Sequence, residues 1–234
     1  MHNVGNSFSL PFKDPSWFSK FVVIGLISLI PIVGWLNMTG WMMATLDNYR
    51  QGRVELPPGN FDYIGRGANV FIVGLVYGLL IGVIIGVPFV LILLGTIGAG
   101  VAGSSTGDYS AVNPSFALFP LWSGGILVIS VVEYLFLPAV VLQTDRHGIG
   151  GGLNIAAVFR MAGANWKNSL LAAVLIYAAY FIGSFGIYAC CVGILVSYPY
   201  AIAVTAGILR FYEASFEAAP GVMPQAPGPP IAPA

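Results

Sequence analysis

The sequence predicts an all-α protein: a polytopic helical membrane bundle of about six transmembrane helices in three hairpins, with N and C termini cytoplasmic. Three observations carry this reading. The first is composition. Of 234 residues, 57% are hydrophobic and 8% are charged, whereas an ordinary soluble domain carries about 25% charged residues. Nine basic and nine acidic side chains cannot coat a globule of this size, which argues against a soluble enzyme, a nucleic-acid binder or a disordered chain. The second is the distribution of charge. The stretches between Lys20 and Asp47, Arg66 and Asp108, and Lys167 and Arg210 hold 26, 41 and 42 residues without a charge. About 20 apolar residues cross a bilayer as a helix, and runs such as 70–94 lack the alternation of barrel strands, so helices are the remaining way to span. The third is the placement of cations. All nine basic residues precede the first apolar run, fall within 50–66 or 143–167, or follow the last run, while the connections 95–115 and 183–193 hold none. The positive-inside rule then assigns every basic segment to one side.

Each element follows from local chemistry. Residues 1–16 read as an interfacial segment that is retained, since no signal-peptide cleavage pattern follows it. Asp14 is an expected N-cap with Pro15 at the first helical position, and Trp17 and Phe18 suit the headgroup level. The first apolar helix meets Pro31 and Gly34 after about 21 Å. A second apolar segment runs from Trp35 to Tyr49, so 17–49 is either a short hairpin or one kinked crossing. Pro57, Pro58 and Gly59 end any helix in the first basic loop. A third helix begins near Gly67, carries Gly74, Gly78, Gly82 and Gly86, and meets a kink at Pro88. The segment 95–110, rich in Gly and Ser, reads as a loop. A fourth helix spans about 116–142 and contains Glu133 and Pro138. In the second basic loop, 153–168 is amphipathic and suits a helix lying in the interface. The run 168–211 reads as a helical pair turning within 183–193. The membrane domain is thus 17–212, followed by a flexible Pro-rich tail over 213–234. Leu46-Asp47-Asn48-Tyr49 and Leu209-Arg210-Phe211-Tyr212 form a short internal echo.

The stretch Phe12-Lys13-Asp14-Pro15-Ser16-Trp17-Phe18-Ser19-Lys20, the break at Pro31 and Gly34, and then Gly40, Tyr49 and Leu56-Pro57 together carry a resemblance. They resemble a prokaryotic family of polytopic membrane proteins, domain of unknown function 4013. The likeness is best over residues 8–90 and looser over the final helical pair. It implies a helical membrane protein of bacteria or archaea with no established activity, and it brings no catalytic residue. The Gly/Ser-rich connection and the Pro-rich tail look like additions suited to a particular partner.

Among candidate sites, the four glycines Gly74, Gly78, Gly82 and Gly86 at i+4 spacing leave a flat strip on one helix face, where backbones can approach closely in lipid. Internal helix packing, a partner or oligomer interface, and a pore lining are the three readings. Glu133 is the one acidic residue well inside an apolar run. It reads as a structural carboxyl bonded to Tyr134, Asn37, Thr39 or a serine, or as a proton- or cation-handling group. Trp17, Lys20, Arg160, Trp166 and Lys167 are expected at the lipid headgroups. Cys190 and Cys191 are adjacent and make no disulfide framework. With His2 and His147 they form no metal-ligand spacing. His147-Gly148-Ile149-Gly150-Gly151-Gly152 lacks the strand and Lys of a phosphate loop. No nucleophile–base–acid set is visible. The expectation is therefore a protein that is not an enzyme, with no cofactor, metal or nucleic-acid partner. It is expected to act as a subunit or scaffold of a membrane complex in the cell (inner/cytoplasmic) membrane, touching the lipid bilayer and other subunits or itself. The alternative is a small transporter or channel using a polar path of Glu133, Asn37 and Thr39. An enzyme acting on lipid ranks third.

Overall fold

The computed structural model describes residues 4–106, 114–188 and 192–217, and every regular element among them is helical. After two 3-10 turns come α1 (Trp17–Ser28), α2 (Val33–Arg50), α3 (Ile64–Thr106), α4 (Pro114–Leu153), α5 (Ile155–Ala164), α6 (Trp166–Ser184) and α7 (Ile194–Glu217). Four stretches are long and apolar enough to cross a membrane: Ile64–Gly95, Trp122–Leu153, Trp166–Tyr188 and Ile194–Glu217. The first pair, α1 and α2, is of another kind. With 12 residues, α1 is only about 18 Å long. With its Asn, Asp and Thr residues, α2 is less apolar than the four spans.

The two short helices form a hairpin, not one kinked crossing. Lys20, near the start of α1, donates to the carbonyl of Leu56 (2.6 Å), which lies beyond the end of α2. The turn is tight. The Val33 N–H donates to the Pro31 carbonyl (2.7 Å) around Ile32, whose φ is 65° and ψ −61°. This is a γ-turn of the rarer, strained hand, and a β-branched residue there costs on the order of 1–3 kcal/mol. The start of α1 also departs from expectation. Asp14 is not the N-cap; that position belongs to Ser16. The Asp14 carboxylate instead accepts from the backbone N–H and hydroxyl of Ser16, both at 2.8 Å, an Asx-type turn that delays the helix to Trp17.

At the centre of the bundle, α7 packs against α1, α2 and α6. It runs parallel to α2: Trp35 meets Tyr198 (ring centroids 6.0 Å apart) and Arg50 meets Glu213 at the other end. The echo noted in the sequence therefore occupies one level, with Leu46, Tyr49, Leu209 and Tyr212 all buried. Close helix approach relies on glycine. A methyl group at Gly25 would stand 2.8 Å from the Leu195 Cα, and one at Gly67 would stand 2.6 Å from the Gly40 backbone nitrogen. Trp41, Phe21, Ile24, Met43 and Leu142 fill the core around these crossings.

The antiparallel pair α3 and α4 is joined at the middle of α3 by the Trp122 indole, which donates to the Ile85 carbonyl (3.2 Å), and near the start of α3 by Arg66 and Asp145. At 43 residues, α3 is about 65 Å long, twice a bilayer core. Residues 95–106, expected in a loop, are helical. Each glycine costs about 1 kcal/mol of helix propensity, but continuing an existing helix pairs each added backbone group without a new nucleation cost. The helix α4 likewise passes its expected end at Leu142, changing direction at Gly148 (φ 67°). The interfacial segment is shorter than expected: Asn154 caps α5 by accepting from the Ala157 N–H (3.1 Å), and Asn165 separates α5 from α6. The last helix continues five residues past the expected boundary at 212, to Glu217. The expectations for Cys190, Cys191, the rest of the Gly/Ser-rich connection and the Pro-rich tail lie outside the described residues.

Candidate functional site

At one end of the bundle, charges that the sequence scatters over four helices meet. Arg50, on the last turn of α2, points its Nε and Nη2 at the two carboxylate oxygens of Glu213 on α7 (2.8 and 2.9 Å), a bidentate pair. Its Nη1 also meets Asp47 (2.9 Å) and Asp145 of α4 (2.8 Å). Arg66 of α3 reaches Asp47 (2.6 Å) and Asp145 (3.4 Å). Arg146 reaches Glu213 (2.8 Å), and Arg210 bridges Glu213 (3.5 Å) and Glu217 (3.0 Å). Four arginines face four carboxylates, so the cluster is neutral. Glu213, with 6% of its side chain exposed, is its most deeply buried member. Desolvating one ion in low dielectric is expensive unless partners satisfy it, and here three guanidinium groups do. The network fastens α2, α3, α4 and α7 at one level. Sequence reading took these arginines only as orientation signals. The signal that was available is the i,i+3 spacing of Asp47 with Arg50 and of Arg210 with Glu213 at helix ends.

A second polar contact organises the loop between α2 and α3. The Asp14 carboxylate receives Lys20 (2.7 Å) and the Leu56 N–H (2.8 Å) besides Ser16. Burial would raise its pKa, but the hydrogen bonds of Lys20, Ser16 and Leu56 outweigh burial and hold the group at about 2. Lys20 is thus engaged inside the fold and not free for headgroups. Trp17 is half-buried and packs edge-on against Phe12 (5.0 Å). Arg160, Trp166 and Lys167 are exposed, as a headgroup role requires.

The three intramembrane polar candidates are not brought together. Asn37 is fully buried, donating to the Asn60 carbonyl (2.8 Å) and accepting from the Tyr63 N–H (3.2 Å), so it pins the loop against α2. Thr39 donates to the carbonyl of Trp35 in its own helix (2.8 Å). Glu133 lies on α4, exposed, beside the exposed Val131 and Val132. Among the described residues its carboxyl makes no hydrogen bond or ion pair.

The glycines divide into two groups. At Gly25, Gly40 and Gly67 an added methyl would collide with another helix's backbone. At Gly74, Gly78, Gly82 and Gly86 no atom of the described residues outside the local helix lies within 4 Å of that position. Gly78, Gly82 and Gly86, with Val83, Val87 and Leu91, line an open apolar groove on α3. Internal packing is therefore the work of glycines that the sequence reading did not single out. Among the described residues, no group of three or more His, Cys, Asp or Glu side chains is arranged to hold a metal ion.

Apolar helices of spanning length, exposing Leu, Ile and Val outward and gathering their charges at one end, define a helical membrane protein. The chain belongs to the family described as "Protein of unknown function (DUF4013)", which matches residues 23–192. That region holds the second half of α1 and all of α2 to α6, while α7 with Arg210, Glu213 and Glu217 lies beyond it. No curated protein and no solved structure matches the chain.

Proposed function

We propose that this protein is a non-enzymatic subunit or scaffold of a membrane complex, held in the cell (inner/cytoplasmic) membrane of a prokaryote. The observation that carries the proposal is the vacant glycine face of α3. Four glycines spaced for close helix approach meet no other helix among the described residues, while other glycines serve the internal crossings. The charged cluster supports the same reading. Its donors and acceptors satisfy one another across four helices, which suits a structural lock more than a catalytic centre. In the topology we infer, the charged end faces the cytoplasm and three hairpins give six membrane-embedded helices, the α1–α2 hairpin being the shortest. The transporter alternative needs one path through Asn37, Thr39 and Glu133. Asn37 and Thr39 are already bonded within α2 and its loop, so that reading receives no support from their geometry. Pull-down of the protein at native abundance in mild detergent tests the proposal. A stable stoichiometric partner, lost in Gly78→Leu, is the expected result. A monomer that alters ion flux when reconstituted into liposomes would overturn it.

A further inference from the structure

The carboxyl of Glu133 makes no hydrogen bond or ion pair with any described residue. Along α4 it is 11 residues from Trp122 and 12 from Asp145, or about 16 and 18 Å, midway between the two. Its side chain is exposed, and so are Leu127, Val128, Val131 and Val132 around it. An ionisable group facing hydrocarbon is costly and is ordinarily paired or turned inward. No described cation is paired with it: Arg146, the nearest cation in sequence, meets Glu213 at 2.8 Å, and Arg160 on α5 and Lys167 at the start of α6 lie outside the uncharged runs. The apolar runs of the other helices carry no Lys or Arg at all. A second copy of the chain has the same empty runs. A copy lying alongside, parallel or antiparallel, therefore offers no Lys or Arg in the middle of any of its apolar runs.

We propose that Glu133 is the polar anchor for a different transmembrane helix, one that carries a Lys or Arg at mid-membrane depth and lies along the exposed α3–α4 hairpin. Charge complementarity selects this occupant. A basic side chain desolvated in the bilayer gains most from a carboxylate at the same depth, and each group removes the other's desolvation cost. The inference rests on the subunit reading above and supplies the chemistry of the partner.

The test uses the full-length protein in vesicles with labelled single-span Leu/Ala peptides, one carrying a central Lys and one carrying Leu at that position. Energy transfer between protein and peptide reads association. The Lys peptide should associate at least ten-fold more tightly than the Leu peptide. Glu133→Leu should make the two equal, and Glu133→Gln should retain an intermediate preference because its amide still bonds the ammonium. Because Glu133 makes no hydrogen bond or ion pair among the described residues, both variants should assemble with wild-type yield. Equal binding of the two peptides by wild-type protein overturns the proposal, as does a preference that survives Glu133→Leu. A wild-type dimer that Glu133→Leu dissociates also overturns it, in favour of carboxyl pairing between copies. If a natural stoichiometric partner is found whose binding ignores Glu133, the subunit reading stands and this anchor fails.

Discussion

Replacing Gly67 with alanine and Gly82 with leucine should have opposite consequences, although both residues lie on α3. At Gly67 the new methyl would stand 2.6 Å from the Gly40 nitrogen and 3.0 Å from the Leu36 carbonyl carbon, and nearer still to the Leu36 oxygen. Unstrained contacts between heavy atoms need about 3.5 Å or more, so α2 and α3 must part by about 1.5 Å to clear the Leu36 oxygen. Overpacking costs about 1–3 kcal/mol. The obstructing atoms are backbone and cannot rotate away, so the upper end applies. Alanine returns about 1 kcal/mol of helix propensity, which leaves a net loss of about 2 kcal/mol. At Gly82 no described atom outside the local helix stands within 4 Å, and leucine gains about 0.8 kcal/mol of propensity. The isolated chain with Gly82→Leu should therefore unfold no earlier than wild type, while its complex comes apart. Denaturation midpoints of the purified protein in one detergent, read beside the size of the complex, measure both effects. A destabilised Gly82→Leu monomer, or a silent Gly67→Ala, would refute the division of α3 into a packed and an unoccupied face.

Two more outcomes follow from the polar contacts. Glu213→Ala removes the carboxylate shared by Arg50, Arg146 and Arg210 and should destabilise the protein by about 3 kcal/mol in denaturant titration. That is the lower end for a broken buried pair, because Arg50 keeps Asp47 and Asp145. Asp14, held at about 2 against an ordinary value of 3.8, contributes about 2 kcal/mol of stability. A carboxyl whose folded pKa is depressed stabilises fully above the unfolded value. Stability should therefore fall as pH drops from about 4 to 2, and Asp14→Asn should remove that slope; an unchanged acid limb in the variant would count against the clamp.

How much was legible differs by feature. Helical class and membrane residence follow from composition, because a chain without enough charge to coat itself has a single kind of solvent left. The boundaries at Gly95 and Leu142 were misplaced because glycine, serine and arginine are read as loop signals by frequency, while a helix already under way has its own reasons to continue. The end of α6 at Ser184 and the start of α7 at Ile194 were legible because Gly183, Gly186 and Gly193 cluster between two apolar runs.

The sequence by itself determined the solvent, the helical class and the common end of the cations, since these depend only on how many residues of each kind occur and how far apart they are. The tertiary structure decided which charges meet, which glycines pack and which carboxyl is left facing outward. Arg50 and Glu213 are 163 residues apart, and only the parallel alignment of α2 with α7 brings them to one level. Glu133 and Glu213 are the same residue type on apolar helices. One is locked by three arginines and the other is exposed because of where each helix turns its face, which sequence spacing does not specify.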